Sequence, residues 1–194
     1  MNQVIEEKIA EFRAEVKNRE VLDMVQRFIT SGICYALNER AYIDLKQRIA
    51  AKYQVHHTQV LVVGSAKLGF SIAPGKRYQP FSETSDIDIA FVNDRLFDSI
   101  WYEVYKYHIG VENWCGIQEF RKYLFFGWIR PDKLPSSQYF PIAKEWWEFF
   151  RELTAEGVFG PYKIRGALYK SMNFLESYQE KCVIECKNHE VKSI

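Results

Sequence analysis

Two aspartates separated by one residue are the part of this chain best suited to chemistry. Asp86 and Asp88 alternate with Ile87 and Ile89 in the segment SDIDIAFVN. Because side chains two apart on a strand share a face, we expect both carboxylates on one side and the isoleucines and Phe91 in the core. Neighbouring carboxylates resist joint ionisation unless a cation lies between them. The spacing therefore predicts a site for a divalent metal.

A second group with chemical potential precedes the aspartates. The apolar run 60–63 ends in Gly64-Ser65, and Lys67 follows two residues later. A glycine at a strand end lets the backbone turn sharply and a ligand approach closely, so we expect a turn at Gly64-Ser65. The serine hydroxyl and N–H and the lysine ammonium can bind phosphate oxygens. Since Mg²⁺ typically binds one or two carboxylates plus substrate phosphates, the two groups together predict a triphosphate site with Mg²⁺ or Mn²⁺.

The segment Ser71–Ser85, which separates the two groups, reads as a loop. It contains Pro74-Gly75 and Pro80, and Lys76 and Arg77 lie beside the first of these turns. Two interpretations stay open: the two basic residues form a lid over substrate phosphates, or the segment is an ordinary solvated loop.

Amphipathic helices are expected to position these groups. Apolar residues recur at steps of three and four along most of the chain, which is the helical period. The predicted helices cover residues 5–16, 22–29, 41–53, 94–105, 118–128, 142–153 and 172–186.

Strands are fewer than helices in this sequence. The β-branched run 59–63 and the segment 86–92 are predicted strands, and residues 162–168 form either a third strand or the entry to the last helix. We therefore expect an α+β fold with a small mixed sheet and with N- and C-terminal helices packed around it. The expected organisation is one domain over 1–194, with a helical part at 1–57, the strands and loop at 58–93, and a mostly helical remainder at 94–194.

The composition limits the classes of partner. The chain of 194 residues has a net charge of +1, so any phosphate site must be local rather than a general attraction to nucleic acid. Aromatic residues make up 16%, which favours a dense core or a homo-oligomer interface over base stacking. No apolar run approaches the roughly 18 residues of a membrane span, and the four cysteines form no disulfide framework. We expect a cytoplasmic protein without membrane association.

The segment from Val60 to Asn93 resembles the DNA polymerase beta-type nucleotidyltransferase superfamily. The resemblance is carried by Gly64-Ser65 after an apolar strand and by Asp86 and Asp88 between apolar residues on the next strand. It implies an enzyme that moves a nucleoside monophosphate from a nucleoside triphosphate to a hydroxyl acceptor, using two metal ions. By this resemblance Gly64 and Ser65 hold the triphosphate, the two aspartates ligate the metals, and Lys67 engages phosphate.

The resemblance also implies an acceptor and a biological role. Small members of the superfamily attach AMP to a partner protein, and larger relatives act on RNA ends, antibiotics or nucleotides. The expected acceptor is therefore a partner protein or an oligonucleotide, in phage defence or toxin control.

A third carboxylate, which the superfamily usually supplies from a later strand, is missing from the expected place. Residues 162–168 contain no acid, and Glu119, Glu152 and Glu156 lie on predicted helices or turns. Three interpretations stay open. A distant acid completes the site, two carboxylates are enough for catalysis, or the chain is a catalytically degenerate nucleotide-binding regulatory subunit. A further alternative is an interaction protein whose aromatic helices bind a partner.

Two other clusters allow more than one interpretation. Cys182, Cys186 and His189 have a Cys-x3-Cys-x2-His spacing that zinc sites use, but two cysteines one helical turn apart more often belong to a core. The basic residues near the third strand face either the pocket or solvent; they are Lys163, Arg165 and Lys170.

Overall fold

A computed structural model describes residues 3–110, 113–136, 138 and 140–192. Within these ranges eight α-helices surround a four-stranded mixed sheet, which confirms an α+β fold. The helices are α1 Gln3–Asn18, α2 Val21–Val25, α3 Glu39–Tyr53, α4 Gly64–Leu68, α5 Asp94–Gly110, α6 Ile117–Phe125, α7 Pro141–Ala155 and α8 Met172–Lys192. The strands are β1 Val60–Val63, β2 Asp86–Val92, β3 Trp128–Ile129 and β4 Lys163–Tyr169. A π-helical turn, Gln26–Thr30, extends α2.

The sheet places β2 at its centre, between β1 and β4. The strand order is β1-β2-β4-β3, with β2 and β4 parallel and the other two neighbouring pairs antiparallel. The third predicted strand is therefore real and adjoins the aspartates. Its register pairs Asp86 with Lys163 and Asp88 with Arg165. On the other side, Val63 of β1 pairs with Asp88.

The apolar face of β2 packs into the main core, as its alternation predicts. Ile87, Ile89 and Phe91 are all buried. The Phe91 ring stacks on Tyr53 of α3, with ring centroids 4.6 Å apart, and on Trp146 of α7 at 5.4 Å. This packing fixes which face of β2 remains for Asp86 and Asp88.

Two local predictions need correction. The helix predicted over 118–128 ends at Phe125, because Gly127 turns the chain with a φ of +63° and Trp128 pairs with Tyr169 as strand. The turn expected at Gly64-Ser65 is instead the first part of the short helix α4. Its residues Ala66 and Leu68 are buried, so packing stabilises a helix too short to persist alone.

The C-terminal helix α8 contributes to the cover of the sheet face that carries the aspartates. Leu175 of α8 packs with Ala90 of β2 and Tyr169 of β4. Cys186 lies in an apolar cluster with residues of α1 and α2, which agrees with the core interpretation of the cysteine pair. In the described ranges no three His, Cys, Asp or Glu side chains form a metal-ligand group, and no helix there has the length and apolar content to cross a membrane.

Asn93 joins β2 to α5 and offers a test of this architecture. Its side-chain oxygen accepts from the Leu96 N–H at 2.9 Å, as a helix N-cap does, and its amide donates to the Tyr53 carbonyl at 3.1 Å. We expect Asn93→Ala to lower the free energy of unfolding by about 1–2 kcal/mol in urea denaturation, because both bonds are lost. Asn93→Asp keeps the acceptor and loses the donor, so its free energy of unfolding should lie between those of wild type and Asn93→Ala. If Asn93→Ala had the same urea midpoint as wild type, the stabilising role assigned to these two hydrogen bonds would be contradicted.

Candidate functional site

The two aspartates open into a cavity of the described structure. This cavity has a volume of about 670 Å³ and is lined by Asp86 and Asp88, by Gly64 and Ser65, and by the loop 71–85. Residues of β4 and α8 form much of its remaining wall. The two groups predicted separately from the sequence therefore lie in one place.

Gly64 lies directly against the Asp88 carboxylate. The pairing of Val63 with Asp88 brings the end of β1 to this point, and Gly64 then has a φ of +66°. A Cβ atom at Gly64 would lie 3.3 Å from Asp88 Oδ2, a tight contact. The glycine thus leaves room beside the carboxylate in a backbone conformation that other residues rarely adopt.

The surroundings of Asp88 disfavour the ionised form of its carboxylate. Burial among protein atoms, and next the charge of Asp86, raise the pKa of Asp88 to about 6, although Arg165 and Arg130 oppose the rise. Its side chain is still exposed to solvent within the cavity. Both observations hold because the site is concave: water reaches the carboxylate, but the walls restrict its hydration.

Arg165 lies on β4, the strand on which the resemblance leads us to expect a third carboxylate. It pairs with Asp88 across the β2–β4 register and forms an ion pair with Asp86, in which Nε lies 3.0 Å from Asp86 Oδ2. The Arg165 side chain is 57% exposed, so solvent screening leaves this ion pair little effect on stability. Its importance is chemical, since it places a guanidinium beside two carboxylates.

The other basic residues near β4 do not line the cavity with Arg165. Lys163 pairs with Asp86 in the β2–β4 register, but its side chain is exposed outside the described cavity lining. Lys170 forms an ion pair with Asp98 of α5.

Lys67 is not brought to the aspartates. Its ammonium donates to three backbone carbonyls, those of Ser31, Gly32 and Ile33, and the residue is buried. Burial lowers the pKa of Lys67 to about 8, which leaves it charged at neutral pH. The residue therefore anchors α4 to the turn after the π-helical segment, and the expected contact with phosphate does not fit this placement.

The basic pair in the loop is divided between two environments. Lys76 lines the cavity, whereas Arg77 donates to the Glu185 carbonyl of α8 at 3.2 Å. Tyr78, whose φ is +61°, has its hydroxyl 3.3 Å from Cys186 Sγ and its ring beneath Arg13 of α1. The loop is thus anchored to two helices and forms a wall of the cavity.

Several cavity residues escape sequence reasoning. Arg130, Trp128, Tyr178 and Gln179 line the cavity, but Trp128 was expected in a helix. The alternation of Trp128 and Arg130 around a buried Ile129 is the signal that could have revealed a strand there.

The acids considered for a third metal ligand lie elsewhere. Glu156 pairs with Arg48, and Glu119 and Glu152 are exposed on α6 and α7. The acids that do line the cavity besides the two aspartates are Asp132, which pairs with Arg130, and Glu185.

Comparisons with known proteins add no independent guide to this site. Neither a protein-family model, nor a curated protein, nor a solved structure matches the chain. The assignment of a function therefore depends on the residues and their geometry.

The donor set at the aspartates suits a divalent cation bound together with a substrate. Two neighbouring carboxylates face one cavity, and Gly64 leaves space beside Asp88 Oδ2. Oxygen ligands of this kind suit Mg²⁺ or Mn²⁺, which take their remaining ligands from phosphates and water. The residues fit the ion.

Because the fold disfavours ionised Asp88, we expect replacement of this residue to increase stability by an amount that depends on pH. The folded-state pKa of about 6 lies above the ordinary value of 3.8, so protonation stabilises the fold at low pH and this contribution is lost as pH rises through 6. We expect Asp88→Asn, which mimics the protonated side chain, to raise Tm relative to wild type at pH 7.5 in EDTA, with no gain at pH 4. Thermal unfolding of both proteins between these two pH values measures the difference in Tm. A difference that did not vary with pH would contradict its attribution to the ionisation of Asp88.

Proposed function

We propose that this protein is a divalent-cation-dependent nucleotidyltransferase, which moves a nucleoside monophosphate from a nucleoside triphosphate to a hydroxyl acceptor. One observation carries the proposal: the paired carboxylates Asp86 and Asp88 lie beside Gly64 and Ser65 in a single cavity. At about 670 Å³ this cavity has the size of a small-molecule site.

Each group has a distinct part in binding. Ser65, Lys76 and Arg165 line the cavity. The Ser65 hydroxyl and backbone N–H would hold a phosphate oxygen, and Lys76 and Arg165 would supply positive charge from the loop and from β4. Asp86 and Asp88 would hold the Mg²⁺ or Mn²⁺, which neutralises charge on the phosphates and assists the leaving pyrophosphate. This division replaces the role first expected for Lys67.

The transfer depends on position and charge. The acceptor oxygen forms a bond to the α-phosphorus as the bond to the bridging oxygen breaks; pyrophosphate leaves and the acceptor proton passes to water. The chain contributes a fixed geometry and preorganised charges, without a covalent intermediate. Arg165 would stabilise negative charge on the transferred phosphoryl group when Asp86 turns to the cation.

For the acceptor we favour a hydroxyl on a partner protein, in phage defence or toxin control. The net charge of +1 supplies no long-range attraction for nucleic acid, which makes an oligonucleotide end the less favoured acceptor.

A label-transfer assay tests the proposal. The protein is incubated with each nucleoside triphosphate labelled at the α-phosphate, with Mg²⁺ or Mn²⁺, alone and with the product of the neighbouring gene. We expect label on an acceptor together with released pyrophosphate. Absence of both products with all four nucleotides would contradict a transferase.

A regulatory nucleotide-binding subunit is the second candidate, and Arg165 is the observation that favours it. The Arg165 guanidinium, 3.0 Å from Asp86 Oδ2, neutralises part of the negative charge that would otherwise attract a second metal ion. Such a site would bind a nucleotide without turning it over. Saturable binding without pyrophosphate release is the result that favours this function over the transferase.

A further inference from the structure

Aromatic rings line the part of the cavity formed by β3, β4 and α8. Trp128 stacks on Tyr169 with ring centroids 5.6 Å apart and an interplanar angle of 10°, and Tyr178 meets Trp128 edge-on at 4.6 Å. All three residues line the cavity. Tyr169 is 2% exposed and supports the Trp128 ring, so Trp128 and Tyr178 form the aromatic surface open to the cavity. Aromatic surfaces of this kind stack on nucleobases.

Gln179 presents an amide without a protein partner in this wall. The residue is 6% exposed, it lines the cavity, and its side chain makes no hydrogen bond in the described parts of the chain. Its amide atoms do not belong to the fully buried unpaired atoms of the described residues, so the remaining exposure of the residue opens the amide to the cavity. The donors and the acceptor of Gln179 are thus available to a molecule in the cavity.

Arg130 connects this wall to the aspartates. Arg130 lines the cavity together with Asp88 and Tyr178. Its guanidinium also lies over the Trp128 ring, 5.6 Å from the centroid. One guanidinium therefore lies within electrostatic range of both the carboxylates and the aromatic residues, as expected for two parts of one ligand site.

We propose that the aromatic wall binds the base of the nucleotide and that Gln179 determines which base is accepted, adenine being preferred. This inference depends on the proposed nucleotide function and names its base-recognition residue. A glutamine amide presents a donor beside an acceptor, which matches the N6 amino group and the adjacent ring nitrogen of adenine. Glu185 adds negative charge to the same wall, which favours an exocyclic amino group over the carbonyl oxygens of guanine or uracil. The larger ring system of adenine gains more from stacking than cytosine does.

Binding of non-cleavable nucleotides tests the inference separately from turnover. The α,β-methylene analogues of ATP, GTP, CTP and UTP are titrated by calorimetry, with Mg²⁺, into wild type, Gln179→Leu and Gln179→Glu. The matched control is Gln47→Leu, an exposed glutamine of α3. We expect wild type and the control to prefer the ATP analogue. Both Gln179 variants should bind that analogue about tenfold more weakly and the GTP and UTP analogues nearly as wild type does.

The outcomes distinguish this inference from the proposed transferase. Gln179→Leu should not lower Tm, because an apolar side chain replaces an unpaired amide, and Gln179→Glu keeps the side-chain size if the leucine variant fails to fold. Unchanged preference in the variants, equal loss for all four analogues, or no binding by wild type would overturn the base site. Preference for adenine without label transfer would overturn the transferase and leave the base site intact.

Discussion

Replacement of Asp86 and Asp88 by asparagine is expected to reduce nucleotidyl transfer by at least about 10³-fold, because a divalent cation contributes several kcal/mol to stabilisation of a phosphoryl transition state. The two side chains share one face of β2 and the same cavity, so the proposed function treats them as one ligand set. The fold should persist, since asparagine has nearly the same shape and removes the repulsion that helps raise the pKa of Asp88. Initial rates of pyrophosphate release measure the loss.

A control with the same change in charge separates the site from general electrostatics. Asp23 and Asp44 are surface aspartates on α2 and α3, with side chains 51% and 42% exposed. Asp23→Asn with Asp44→Asn should leave the rate within about twofold of wild type, because exposed ion pairs contribute little. A double variant at Asp86 and Asp88 that was folded and as active as this control would contradict the assigned role.

Gly64→Ala is expected to lower activity by about 100-fold, because a misplaced group at a reacting centre has an effect of this size. The added Cβ would lie 3.3 Å from Asp88 Oδ2, in the space assigned to the cation and phosphate. The substitution also forces alanine into a φ of +66°, which should lower the free energy of unfolding by about 1 kcal/mol. Initial rates and urea denaturation measure the two effects separately.

Gly157 provides the matched control for this substitution. Its φ is +68°, close to that of Gly64, and nothing lies within 4 Å of the Cβ it would acquire. Gly157→Ala should therefore show the same loss of stability with wild-type activity. If both alanine variants were equally active, Gly64 would be a backbone requirement of the fold and not part of the site.

Much of the secondary structure follows from local pattern. The period of two in Ile87, Ile89 and Phe91 predicts both the strand and its buried face, and the structure agrees. The cap at Asn93 is likewise local, since it acts on the N–H three residues later. Such features are predictable because backbone geometry and one buried face determine them without distant partners.

The contacts that decide the chemistry are not local. Arg165 stands beside Asp88 only through the register of β4 on β2, a pairing between residues far apart in the chain. The residue type and spacing of Lys67 favour a contact with phosphate, but its ammonium donates to the backbone carbonyls of residues 31–33. Gln179 gave no signal at all, because an amide on a helix acquires meaning only once burial and an adjoining cavity are known.

Binding of Mn²⁺ to the protein in the presence of the α,β-methylene analogue of ATP tests the central claim most directly. Electron paramagnetic resonance distinguishes protein-bound Mn²⁺ from the complex of Mn²⁺ with nucleotide alone. The account predicts that wild type and the Asp23→Asn, Asp44→Asn control hold Mn²⁺ with the nucleotide, and that Asp86→Asn with Asp88→Asn abolishes the bound signal. Equal binding by all three proteins would show that the two carboxylates are not the cation site.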